Sequence, residues 1–167
     1  MIIDSHAHIF PFLGAPAGYA SSAEHLRWLQ LYVATHGQPA RRLRDHGAVS
    51  ERGLADLPIT GQERLRSVDF RVEENGRFVW RDGKEQLYTH FMPPSLQTNS
   101  SSAEYLLTEM AYADVDVAIL QNAHLYGRLN EYFASASARY PGRFIGLAEV
   151  DEARAGDPSQ VAHLRSA

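Results

Sequence analysis

The first ten residues, MIIDSHAHIF, alternate: Asp4, His6 and His8 take every second position, and Ile3, Ser5, Ala7 and Ile9 fill the places between. A side-chain period of two belongs to an extended strand, so the pattern predicts a strand over residues 1–9 with a carboxylate and two imidazoles on one face. The Pro- and Gly-punctuated residues 10–16 end it. Ser21-Ser22-Ala23-Glu24 reads as a capping box, and Leu26, Leu29 and Val33 follow at helical spacing until Gly37, which predicts a helix of about four turns. Residues 38–66 are polar and show no period. Val68, Phe70 and Val72 alternate, as do Phe78 and Trp80 beyond Asn75-Gly76. Asn-Gly between alternating runs predicts a hairpin, because both central residues of its turn need positive φ. A further strand is expected within residues 86–91.

From residue 100 the period changes. Ser101-Ser102-Ala103-Glu104 is a second capping box, and Leu106, Leu107, Met110 and Ala111 mark the buried stripe of a helix ending near Asp114. A short apolar strand is predicted over 115–120, a helix over 127–140 with Leu129, Tyr132, Phe133 and Ala136 on one face, and a strand over 144–150. Asp157-Pro158 places a capping residue before Pro at a first helical position, so another helix is expected to start there. Helices alternating with short β-branched strands predict a parallel sheet built from crossovers. Residues 11–94 read as an insertion with its own helix and small antiparallel hairpin, inside one domain spanning 1–167.

Composition narrows the classes. With 44% hydrophobic and 22% charged residues in 167, the chain has the make-up of a globular domain. A net charge of -4 argues against a nucleic-acid partner, and the basic cluster Arg41, Arg42, Arg44 reads as a solvated face. Without cysteine there are no disulfides, thiolate ligands or Cys nucleophiles, so any metal site must use His and carboxylates. No stretch approaches the ~18 apolar residues of a membrane span, and no signal-peptide pattern opens the chain, so a cytoplasmic protein is expected.

Three titratable groups on one strand face are costly to bury unless something satisfies them, and a metal would. The plainer alternative is a pair of surface histidines on an edge strand. Ile3-Asp4-Ser5-His6-Ala7-His8, the stretch from Met110 to Gln121 and the stretch from Tyr140 to Asp151 together resemble the amidohydrolase-related metal-dependent hydrolases and decarboxylases, of the aminocarboxymuconate-semialdehyde decarboxylase-like branch. That resemblance covers residues 1–10 and about 95–160. It implies an α/β fold, a partial TIM (β/α)8-type barrel of about three βα units, with the inserted helix and hairpin after strand one. It also implies that His6 and His8 ligate a divalent metal, zinc by preference, with Asp4 orienting a histidine from behind.

Gln121, Asn122 and His124 follow the second barrel strand and Glu149 and Asp151 end the third, so all are expected at one rim. His124, Glu149 and His90 are the catalytic candidates, His90 from an insertion that could serve as a lid. Each has a plainer role beside it: a loop hydrogen bond for His124, a structural anchor for Glu149, a strand-end residue for His90. The family's other ligands lie beyond these motifs, and a full barrel takes ~250 residues, so the chain is expected to be the N-terminal portion of such an enzyme, inactive by itself, the whole enzyme hydrolysing or decarboxylating a small carboxylated or cyclic substrate. A non-catalytic binding or assembly module with vestigial ligands is the alternative, and a phosphoesterase or deoxyribonuclease of other His-x-His barrels a third. Open strand edges predict self-association into a homo-oligomer.

Overall fold

The computed structural model describes residues 1–150, 156–159 and 162. In chain order its elements are β1 (Ile3–Ala7), α1 (Ser22–Thr35), β2 (Ala40–Arg42), β3 (Ala48–Val49), a 3-10 turn at Gln62–Arg64, β4 (Arg71–Glu73), β5 (Arg77–Asp82), β6 (Glu85–His90), α2 (Ala103–Tyr112), β7 (Val117–Leu120), α3 (Asn130–Arg139) and β8 (Phe144–Gly146). They form two compact units, one of Met1–Phe10 with residues from Ser101 onward, the other of Pro11–Ser100.

The first unit is a parallel sheet in the order β1-β7-β8. Strand β7 pairs with β1 on one side and β8 on the other, and Ala118, Leu120 and Phe144 bury the same face. Phe133 of α3 packs there against Gly146, where a Cβ would stand 2.9 Å from the Phe133 Cβ; only glycine lets helix and strand come this close. Helix α2 begins on Ser102, whose hydroxyl accepts from the Tyr105 amide (3.2 Å), one residue later than the Ser101–Glu104 capping box predicts. On the opposite face Ile3 and Ile145 remain about half exposed, as does Leu147 just beyond β8.

The second unit wraps α1 and an antiparallel sheet, ordered β3-β2-β6-β5-β4, around fully buried Leu13, Leu29, Val33, Phe78, Val79 and Trp80. Asn75 and Gly76 form the β4–β5 turn with φ of 59° and 74°, as expected of Asn-Gly. The aperiodic residues 38–66 are ordered by side chains rather than by a period. Gln30 of α1 donates to Leu54 O (2.8 Å) and Arg66 O (2.9 Å), Trp80 Nε1 donates to Arg52 O (2.7 Å), and the Arg52 guanidinium donates to Val33 O and Ala34 O in the last turn of α1.

The expected partial TIM barrel is overturned. The parallel strands form an open three-stranded sheet, the expected small hairpin is part of a separate five-stranded antiparallel sheet, and the described residues hold three complete α-helices rather than a ring of βα units. Crossovers indicate parallel pairing, but closure depends on strand number, tilt and stagger, which a hydrophobic period does not encode. Of the helix expected from Asp157, Pro158, Ser159 and Ala162 are helical, and Asp157 Oδ1 accepts from the Ser159 amide (2.9 Å). Its remaining positions lie outside the described residues.

Candidate functional site at the carboxyl edge of the parallel sheet

Parallel strands end on one edge, so the residues following β1, β7 and β8 gather there, where open α/β sheets place their ligands. Strand β1 does not keep the simple alternation. Its register with β7 runs Ile3 to Val117, Asp4 to Ala118, then Ala7 to Leu120, so β1 carries one extra residue between Asp4 and Ala7. The slip puts Asp4 on the face of Ala7 and out of phase with His6. Asp4 instead holds the bend locally, its Oδ1 accepting from the His6 amide (3.0 Å).

His6 and His8 come together. Their Nε2 atoms are 3.1 Å apart and their rings meet edge to face. The Nδ1 of His8 lies 2.8 Å from Gln121 O. A carbonyl only accepts, so His8 carries its proton on Nδ1, and a neutral ring then turns a bare Nε2 lone pair toward His6. Gln121 is fixed in turn: its amide donates to Ala7 O (2.9 Å) and its side chain to Ser5 O (2.9 Å). Tyr126 lies against both His8 and Phe10, each ring pair at 4.6 Å, and the Ser101 hydroxyl donates to His8 O (3.2 Å).

A second group surrounds Glu149. Its Oε1 is 3.0 Å from His124 Nδ1, its Oε2 accepts from Asn122 Nδ2, and its backbone exchanges two 2.8 Å hydrogen bonds with the Asn130 side chain. Asn122 Nδ2 also reaches Gly127 O (3.2 Å). Burial pushes the Glu149 carboxyl above its ordinary range, while the charges of His124 and Arg128 pull the other way. An acid opposed to an imidazole in this way can hold or pass a proton. His90 belongs to the Pro11–Ser100 unit, where its Nδ1 donates to Asn75 O (3.1 Å) and its ring meets Tyr88 edge to face. Those are the contacts of a strand-end residue. Asp151 lies outside the described residues.

The rim residues Gln121, Asn122, His124 and Glu149 thus all follow parallel strands, as the spacing predicts. Tyr126, an aromatic six residues past a strand, gives no periodic signal in the sequence; only folding brings it onto His8. Two nitrogens bound tetrahedrally at about 2.0–2.1 Å stand about 3.3–3.4 Å apart, a separation close to that of the His6 and His8 Nε2 atoms, though both rings must turn and His6 lose its Nε2 proton to face one ion. Among the described residues no three His, Asp or Glu side chains group closely enough to form a larger ligand set. No known protein family, characterised protein or solved structure matches the chain.

Proposed function

We propose that the parallel-sheet unit carries a divalent-metal centre on His6 and His8, zinc by preference, serving hydrolysis or non-oxidative decarboxylation of a small carboxylated or cyclic substrate, as in the amidohydrolase-related enzymes the sequence resembles. The observation that carries this reading is the His8 hydrogen bond to Gln121 O. It selects the tautomer whose Nε2 carries a lone pair, accepting from His6 Nε2 in the absence of metal and able to ligate once His6 gives up that proton, and an outer partner of this kind raises the basicity of a ligating imidazole.

When bound, such a metal lowers the pKa of a water or polarises a substrate oxygen. The chain's own residues do the rest. His6 and His8 hold the ion, Gln121 fixes the His8 ring, and Tyr126 walls one side of it against water. Glu149, with its raised pKa and its contact to His124, supplies a proton-holding group on the same edge, its other oxygen steadied by Asn122. A cytoplasmic setting and a small-molecule substrate belong to this reading.

The alternative is a non-catalytic binding or assembly module, favoured by the half-exposed Ile3, Ile145 and Leu147, which suit a contact surface. Metal content after exhaustive dialysis separates the two. The catalytic reading expects about one zinc per chain by plasma mass spectrometry and its loss in the His6→Ala, His8→Ala double variant; equal metal in both proteins would sink it.

A further inference from the structure

The Pro11–Ser100 unit holds a cavity of about 540 Å3, between the turn at Phe12, the β4–β5 hairpin and the segment from Thr98 to Ser100. That volume is within the range of small-molecule pockets, roughly 300–1,000 Å3. None of its lining belongs to the parallel-sheet site.

Its walls are tied together before any ligand arrives. Asn99, fully buried, accepts from the Leu13 amide through its backbone oxygen (3.1 Å) and donates through its side chain to Glu73 O. The Asn75 amide donates to Gln97 O (3.0 Å), joining the hairpin tip to the same segment. The Phe12 ring lies so close over Gly14 that a Cβ there would stand 2.4 Å from Phe12 Cε1. Glycine therefore seats the ring, which stays 46% exposed, an aromatic surface held at the cavity instead of in the core.

The charges in the lining do not cancel. Glu73 bonds Arg71 Nε (3.1 Å) and lies 4.0 Å from Arg77 Nη2, so Glu73 and Arg77 answer one another. Glu74 is exposed, and its carboxylate makes no ion pair among the described residues. Beside it, the hydroxyls of Thr98 and Ser100 bond each other at 2.8 Å. With Glu73 held between Arg71 and Arg77, and Arg71 also bonded to Asp69 (3.0 Å), the charge left unanswered at the lining is that of Glu74, next to an aromatic face and Val72.

We propose that this cavity binds a small organic ammonium ion with an apolar body, the cation set against Glu74 and the face of Phe12 and the body against Val72. A carboxylate beside an open aromatic face is the pairing that favours an organic cation over a neutral or anionic molecule of equal size. The proposal does not depend on the metal centre.

The test is a titration of the full chain, followed by amide NMR, with 2-phenylethylammonium, the neutral 2-phenylethanol and the anionic phenylacetate. A ligand of about nine non-hydrogen atoms is expected to bind at about millimolar concentration. The ammonium ion should shift the amides of Phe12, Val72, Glu74 and Ser100, with the alcohol weaker and the acid without effect. Glu74→Gln should weaken binding roughly threefold to fivefold, as for an exposed ion pair. Phe12→Ala should weaken it further. Gly14→Ala, which keeps every lining side chain but swings the ring, should weaken it as well. Equal shifts from the alcohol or the acid, shifts confined to other residues, no shift at millimolar ligand, or wild-type binding by Gly14→Ala would overturn the assignment.

Discussion

Glu149 shows how a single side chain acquires chemistry from its neighbours. Burial raises its pKa above the ordinary 4.5 and His124 opposes the rise, so removing His124 should raise it further. Carbon-13 NMR of the side-chain carboxyl should place Glu149 above the usual glutamate range in the wild type and higher again in His124→Ala. A value at or below 4.5 would contradict the burial argument. The sign for stability follows: a folded-state pKa above the unfolded one favours folding below pH 4.5, and that contribution is lost as pH rises through the raised value. Glu104 behaves in the opposite way. Its Oε1 accepts from the Tyr140 hydroxyl and lies by Arg139, both at 2.7 Å, and its pKa is pushed down to about 2, the Tyr140 bond being the largest cause. Its contribution is present above pH 4.5 and lost as pH falls through about 2, and Tyr140→Phe should flatten that acid limb in a pH series of thermal unfolding. Residues of this kind were partly legible in the sequence. His6 and His8 announce themselves by alternation, and Glu149 by its place after a strand. Tyr126, and the slip that takes Asp4 out of phase, depend on register and escape any single-strand reading.

Elements report how local rules fared. The Asn75-Gly76 turn was legible because positive φ at two successive residues has few sequence solutions. It also carries a constraint no period shows: a Cβ on Gly76, at φ 74°, would stand 2.1 Å from Met92 O. Gly76→Ala should therefore destabilise the second unit by about 2 kcal/mol or more, strain and backbone clash acting together. A loss of unfolding free energy below half that size, measured by denaturant titration, would show that the turn adapts. Both capping boxes begin helices close to where they predict, and the hydroxyl of Ser21 accepts from the Glu24 amide (3.2 Å) just as that of Ser102 accepts from Tyr105. Ser102→Ala should cost about 1 kcal/mol. Strands β2 and β3 were not legible. They are three and two residues long, too short to show alternation, and Arg41 and Arg42 stand opposite Tyr88 and Leu87 in the sheet. The strand expected over 144–150 stops at Gly146.

At the scale of the whole molecule, the chain comprises two units with different sheet types. The run of crossovers describes a parallel sheet, and the partial barrel that the resemblance implied is an open three-stranded sheet instead, since nothing in local pattern counts strands or fixes their tilt. Parallel sheets are ordinarily covered on both faces. Here Ile3, Ile145 and Leu147 stay about half exposed, which predicts association that strengthens with concentration. Light scattering should show mass rising with concentration, reversed by Ile145→Lys; a monodisperse monomer throughout would contradict this. No helix among the described residues is long and apolar enough to cross a membrane.

The central claim is that His6 and His8 are a prepared pair of metal ligands, and nitrogen-15 NMR of the imidazoles during zinc addition tests it most directly. Binding should move the Nε2 signals of His6 and His8 together, saturating near one equivalent, while His8 keeps the Nδ1 proton it gives to Gln121 O. If both rings stay unmoved at one equivalent, or zinc shifts His90 or His124 in their place, the pair is an ordinary hydrogen bond and the proposed metal chemistry fails.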